Sequence, residues 1–188
     1  MQRLLRWPYR AILAFLLWTG VRPLHLTLLS LALNTVTGWF IVSGEYFAAG
    51  ITLLLAGACD VFDGSVARQR GEVKRSGAFM DSVLDRVADT ILFSTLFWSL
   101  SSQGDGIDAA LALVTLIVSL SVSHVRAEAE AAGLTLSEGL FQRLERFLAL
   151  LVGLIIPGAL RPALLLLVVL GGVTVLQRGW SALQQRPV

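Results

Sequence analysis

One cysteine, Cys59, stands in 188 residues, so no internal disulfide can form and the fold is not a stapled one. Cys59 itself reads as a small packing residue on a helix. Lysine is nearly missing too: of 15 basic residues only Lys74 is a lysine and the rest are arginines. Charged residues make up 15% of the chain and hydrophobic ones 55%, with a mean hydropathy of +0.74. That leaves too little polar surface for a soluble domain and points to an integral membrane protein with one bundle. The near balance of 15 basic against 13 acidic residues gives no footing for a nucleic-acid partner. No internal repeat or low-complexity segment is visible. Residues 1–9 are basic and aromatic, and no A-x-A-like cleavage site follows a short apolar core, so no cleavable signal is expected.

What is present falls into apolar runs separated by polar turns. Residues 1–18 interleave Arg3, Arg6 and Arg10 with Trp7, Tyr9, Phe15 and Trp18, the pattern of an amphipathic helix lying in the membrane interface. Pro8 is expected in its first turn or just before it. Spanning candidates follow at 24–42, 47–66 (continuing to about 69 beyond the lipid), 77–100, 108–124, 140–156 and 163–176. Residues 127–139 read as a polar alanine-rich connection and 177–188 as a polar tail. The fold class expected is therefore all-α: six transmembrane helices, with the bundle over 24–178 and the interfacial helix over 1–19, forming a single domain across 1–188. Loop charge gives orientation. Arg3, Arg6, Arg10 and Arg22 precede the first span, and Arg68, Arg70, Lys74 and Arg75 lie between the second and third. Arg126, Arg143 and Arg146 lie between the fourth and fifth, and Arg178 and Arg186 end the chain. The opposite turns hold only Glu45, Asp105, Asp108 and Arg161. The positive-inside rule then puts both termini in the cytoplasm of a cell-membrane protein.

The stretch DVFDGSVARQRGEVKRSGAFMDSVLD, residues 60–85, carries the chemistry. Asp60 and Asp63 are three apart and Asp81 and Asp85 four apart, so each pair shares one helix face. Carboxylates inside apolar spans are costly and mark function. Four of them at one place repel one another unless cations lie between, and hard divalent ions take oxygen ligands. Small residues at Gly64, Ala67 and Gly77 allow close approach, and the guanidinium of Arg68 suits phosphate.

These eight positions fit D-x-x-D-G-x-x-A-R-x(8)-G-x-x-x-D-x-x-x-D without a gap. The stretch resembles the signature of the CDP-alcohol phosphotransferase family. The resemblance implies two divalent ions, usually Mg²⁺ with Mn²⁺ as the alternative, on Asp60, Asp63 and Asp81. It implies that Asp85 completes the second ion's site and acts as general base. It further implies a CDP-linked lipid such as CDP-diacylglycerol as donor, its nucleotide surrounded by Asp60, Gly64, Ala67, Arg68 and Gly77, with Lys74 nearby. Upstream, RPLHLT at 22–27 stands where relatives carry a P-N-x-x-T-like element, which implies Thr27 as a further contact of the CDP-lipid; Pro23 and Thr27 match, and Leu24 replaces the usual polar residue. His25 reads as an interface residue rather than a ligand. Asp89, one turn after Asp85 on the same face, would tune the base or hold Arg86.

On the acceptor side, SHVRAEAEAAG at 123–133 and GLFQRLERF at 139–147 resemble elements of the phosphatidylinositol-phosphate synthases within that family. They carry Arg126, Arg143 and Arg146, and Arg178 in VLQRG matches the arginine at the end of the bundle. Arginines around one cavity suit a phosphate monoester, held bidentately; the bland alternative is that they are positive-inside arginines, with Arg146 paired to Glu145 or Glu130. Glu128 and Gln142 depart from the subgroup's usual Arg and Glu. The resemblance implies a homodimer in the lipid bilayer that transfers a phosphatidyl-type group to a phosphorylated polyol and releases CMP. Inositol 1-phosphate is the expected acceptor, with glycerol 3-phosphate, as in phosphatidylglycerophosphate synthases, as the alternative. A divalent-cation transporter is the reading of another class; Arg68 speaks against it, because an ion path has no need of a phosphate-binding arginine.

Overall fold

Among the described residues, proline and glycine sit at the breaks between helices. In the computed structural model, which describes residues 2–71, 75–134 and 143–184, seven helices follow one another. They are α1 Gln2–Trp18, α2 Pro23–Val42, α3 Tyr46–Arg70, α4 Arg75–Ser102, α5 Gly106–Ala131, α6 Arg143–Ile155 and α7 Leu160–Gln184. α2 begins on Pro23, whose missing N–H costs nothing in a first turn, after an extended Arg22. α3 stops at Gly71, which takes the left-handed conformation (φ 65°) that ends helices cheaply only at glycine. The side chain of Asp105 caps α5 by accepting from the Asp108 N–H.

The seven helices match the expected segments, with three differences. α1 already starts at Gln2, so Pro8 sits beyond the first turn. α5 runs on through the alanine- and glutamate-rich stretch to Ala131, because those residues favour helix strongly. α7 continues to Gln184 instead of ending near 176 in a polar tail.

The packing is a closed ring. α2 packs on α3, α3 on α6, α6 on α7, α7 on α5, α5 on α4, and α4 back on α2, while α1 packs on α3 from outside. Glycines permit the close crossings. A Cβ on Gly57 would sit 2.4 Å from the ring of Phe147, one on Gly50 2.5 Å from Ile155, and one on Gly171 2.5 Å from Val118. Small residues play this role in membrane bundles, where burial between helices gains nothing over lipid. Away from the signature, Arg161 on α7 clasps α5, donating to Asp108 at 2.5 Å and Asp105 at 3.1 Å.

The exterior is apolar: Trp39, Phe47 and Trp98 are each about two-thirds exposed. Four helices are long and apolar enough to cross a membrane, at Pro23–Val42, Tyr46–Arg70, Gly106–Ala131 and Leu160–Ala182. The chain is thus a multi-pass membrane protein. α4 is long but carries Asp81, Asp85, Arg86 and Asp89 within nine residues, and only 13 residues of α6 are described.

Candidate active site

The ring encloses a cavity of about 480 Å³ lined from all six of its helices. Its acidic wall comes from α3 and α4. Asp60 and Asp63 lie in the C-terminal half of α3, and Asp81 opens the carboxylate face of α4. Oxygens of these three carboxylates lie within 4.8 Å of one another. Among the described residues α3 and α4 do not pack on each other; both lean on α2. The carboxylates therefore meet across a gap between two helices, the place where a divalent ion fits. Asp85, one turn further along α4, lines the cavity with Asp60 and Asp89.

α2 reaches into the same gap. The hydroxyl of Thr27 lies 2.8 Å from Asp63 Oδ2 and 3.1 Å from the Pro23 carbonyl, two acceptors for one proton. Asp63 is the most buried of the trio, 8% exposed. Thr27, read from sequence as a donor-lipid contact, thus touches a carboxylate of the acidic cluster.

The remaining signature residues are on the rim. Arg68 is exposed and folds back along α3, where Nη2 donates to Ser65 Oγ at 3.1 Å. Ser65 also accepts from Tyr9 of α1 at 2.8 Å and donates to the Val61 carbonyl. A Cβ on Gly64 would approach Arg68 Nη1 to 3.3 Å, whereas one on Gly77 would meet open space. Ala67 is half-buried beside them. Lys74 lies outside the described residues.

The cavity also has a basic part, lined by Arg86 of α4 and Arg146 of α6. Arg146 of α6 donates from Nη1 to the Ser119 hydroxyl and lies 3.7 Å from Asp89 Oδ2. Ser119 in turn donates to Asp89 at 2.5 Å. Asp89 is therefore engaged across the ring with α5 and α6, and not with Arg86 as the sequence suggested; which helix packs beside α4 decides this. Arg178, 7% exposed, donates from Nη1 to the Val122 carbonyl at 2.9 Å. Nε of both Arg146 and Arg178 is buried without a hydrogen-bond partner, which costs about 1–3 kcal/mol for each such group. Arg126, on an exposed face of α5, donates to Glu130 at 2.8 Å, the residue offered from sequence to Arg146, and lies close enough to Arg178 for their charges to repel. Arg143 starts α6, and its side chain lies outside the described residues.

Sequence reasoning missed the polar residues of the apolar spans that line the cavity. Ser30 and Asn34 of α2, Ser82 and Arg86 of α4, and Thr115 and Ser119 of α5 all do so. The signal was there for α2: Thr27, Ser30, Asn34 and Thr37 follow one another at helical spacing inside an otherwise apolar run.

Residues 21–176 match the family model described as CDP-alcohol phosphatidyltransferase. A phosphatidylinositol phosphate synthase of Mycobacteroides abscessus is 35% identical over 171 residues, covering 87% of this chain and 78% of that protein. The crystal structure of the Mycobacterium tuberculosis phosphatidylinositol phosphate synthase with CDP-DAG bound superposes with a TM-score of 0.84 at 29% identity, over 93% of this chain and 92% of that one. The same enzyme in complex with manganese and citrate gives 0.85 at 29% identity, over 93% of this chain and 88% of that one.

Proposed function

The chain belongs to the CDP-alcohol phosphatidyltransferase family, and from that premise we propose that it transfers the phosphatidyl group of CDP-diacylglycerol to inositol 1-phosphate, releasing CMP. The observation that carries this reading is the two-signed cavity, with Asp60 and Asp85 on one wall and Arg146 on another. One wall suits a diphosphate held through cations, the other a phosphate monoester held by guanidinium groups.

Two divalent ions, Mg²⁺ or alternatively Mn²⁺, would be held by Asp60, Asp63 and Asp81 with Asp85 completing the second set, and would neutralise the diphosphate and the charge on the attacking and leaving oxygens. The fit rests on three hard oxygen donors within 4.8 Å. Arg68, Gly64, Ala67 and Gly77, with Lys74, form the proposed seat of the nucleotide. Asp85 takes the proton of the acceptor hydroxyl. The acceptor oxygen bonds to the lipid-side phosphorus as the bond from that phosphorus to the bridging oxygen breaks, and CMP leaves with the electron pair. Arg146 and Arg178 hold the acceptor phosphate, assisted by Arg143; Arg126 is a more peripheral member, given its pair with Glu130.

The same reading has all six ring helices crossing the membrane, α1 lying in the interface, residues 1–188 forming one domain, both termini and the active site facing the cytoplasm, and two copies forming a dimer. Glycerol 3-phosphate is the second acceptor candidate, because the same arginines would hold its phosphate. An acceptor panel with the purified protein in detergent and CDP-diacylglycerol, with mass analysis of the lipid product, tests the proposal. Phosphatidylinositol phosphate is the expected product; phosphatidylglycerophosphate alone would move the assignment to the second acceptor. Absence of CMP release with every alcohol would refute the function.

A further inference from the structure

One turn of α5 receives an arginine from each of three other helices. Arg178 of α7 donates to the Val122 carbonyl at 2.9 Å, Arg86 of α4 donates from Nη2 to the Ser123 carbonyl at 3.3 Å, and Arg146 of α6 lies on the hydroxyl and carbonyl of Ser119. Carbonyls inside a helix already accept one N–H and offer a second lone pair. That lone pair fixes one guanidinium N–H and supplies no formal negative charge. The three arginines are thereby positioned by backbone without being neutralised by it.

Arg146 has a counter-charge in Asp89, 3.7 Å away. Arg86 has no such partner among the described residues, since Asp89, the carboxylate three residues on, is turned to Ser119 and Arg146. Arg86 is half-buried, lines the cavity, and directly follows Asp85 in the chain. A guanidinium pinned by one N–H keeps its remaining donors for an anion, and leaving such a cation unpaired inside a bundle is costly.

We propose that Arg86 is a further acceptor-binding residue, completing with Arg146 and Arg178 the seat of the acceptor's phosphate; this rests on the phosphorylated-polyol reading above. The alternative role is a plain α4–α5 staple through Ser123. Arg86→Gln separates the two, because it removes the charge and retains a donor for the Ser123 carbonyl. Steady-state CMP release in detergent, with inositol 1-phosphate and CDP-diacylglycerol varied in turn, is the readout. The expected result is a rise in acceptor KM of roughly 10- to 150-fold, the range for one charge-assisted contact, with donor KM within about twofold. Arg86→Lys, which keeps the charge and loses the bidentate fork, should give a smaller rise, and serves alone if the Gln variant does not fold. An unchanged acceptor KM, donor KM rising in step, or a lowered Tm with both KM values intact would overturn the proposal. Wild-type turnover is the control: if wild type releases no CMP with inositol 1-phosphate or glycerol 3-phosphate, the functional reading itself has failed, a result distinct from the loss of Arg86's role alone.

Discussion

Thr27→Val replaces a hydroxyl by a methyl group of nearly the same shape and so isolates one hydrogen bond of the acidic cluster. In the wild type that hydroxyl lies 2.8 Å from Asp63 Oδ2. A hydrogen bond to a charged group contributes about 1.5–3 kcal/mol. Here one proton is shared with the Pro23 carbonyl at 3.1 Å, so the lower end applies, about tenfold in an equilibrium constant at ~1.4 kcal/mol per decade. Two effects compete. Losing the bond leaves Asp63 Oδ2 an extra lone pair for a cation; it also frees a carboxylate that must otherwise be held in place for metal binding. Removing partners of metal-ligating groups typically weakens metal affinity or activity 10- to 100-fold, so positioning wins. The expected outcome is a roughly tenfold higher Mg²⁺ requirement for CMP release and a matching loss in Mn²⁺ affinity, read by electron paramagnetic resonance without turnover. Thr27→Ser should restore both. Unchanged metal affinity together with a raised donor KM would show that Thr27 contacts the CDP-lipid and not the metal cluster, and the reasoning would be wrong.

Three further outcomes are expected. Chelation should abolish turnover and Mg²⁺ or Mn²⁺ restore it; full activity in excess chelator would rule out a metal role for Asp60, Asp63 and Asp81. Asp85→Asn should cut turnover by ~10²-fold or more, the scale of general-base loss, while leaving donor binding largely intact. Asp60→Asn should weaken metal and donor binding together, and identical behaviour of the two variants in a donor-binding assay would refute that division of roles. On a Cys59→Ser background, a cysteine at Glu45 should be labelled from outside and one at Gln69 only after permeabilisation. Gln69 is chosen because its neighbour Arg70 is committed to the Leu17 and Gly20 carbonyls of the α1 end; outside labelling at 69 would reverse the proposed orientation.

The signature was legible because its information is local. Spacings of three and four fix which carboxylates share a face on α3 and on α4, and the structure does bring Asp60, Asp63 and Asp81 together. Helix order was legible from apolar runs for the same reason. The order of helices around the ring was not. Nothing in the sequence near Gly57 says that its missing side chain is occupied by Phe147, 90 residues further on. The partner of Asp89 failed on this point: the side-chain spacing on α4 offers Arg86, and only the packing of α5 beside α4 offers Ser119 instead. The pair of Arg126 with Glu130 was not legible either, because a helix-end arginine looks the same in sequence with or without a partner along its own helix.

The ring explains why the two signs of charge can share one small space. Among the described residues α3 and α4 lean on α2 and not on each other, so their carboxylates face a gap and would repel if pressed together. On the far side, α5 offers carbonyls that hold Arg86, Arg146 and Arg178 in place. A transfer between two anionic substrates needs both to sit side by side although their phosphates repel at close range. A cavity of one sign would bind one of them and expel the other. In the proposed reading each wall would supply its own remedy, cations recruited by the carboxylates for the diphosphate and fixed guanidinium groups for the monoester. Asp85 and Arg86 are consecutive residues where the two walls meet on α4. In the proposed reaction that seam is where the acceptor hydroxyl must lie, with its proton toward Asp85 and its phosphate toward the arginines.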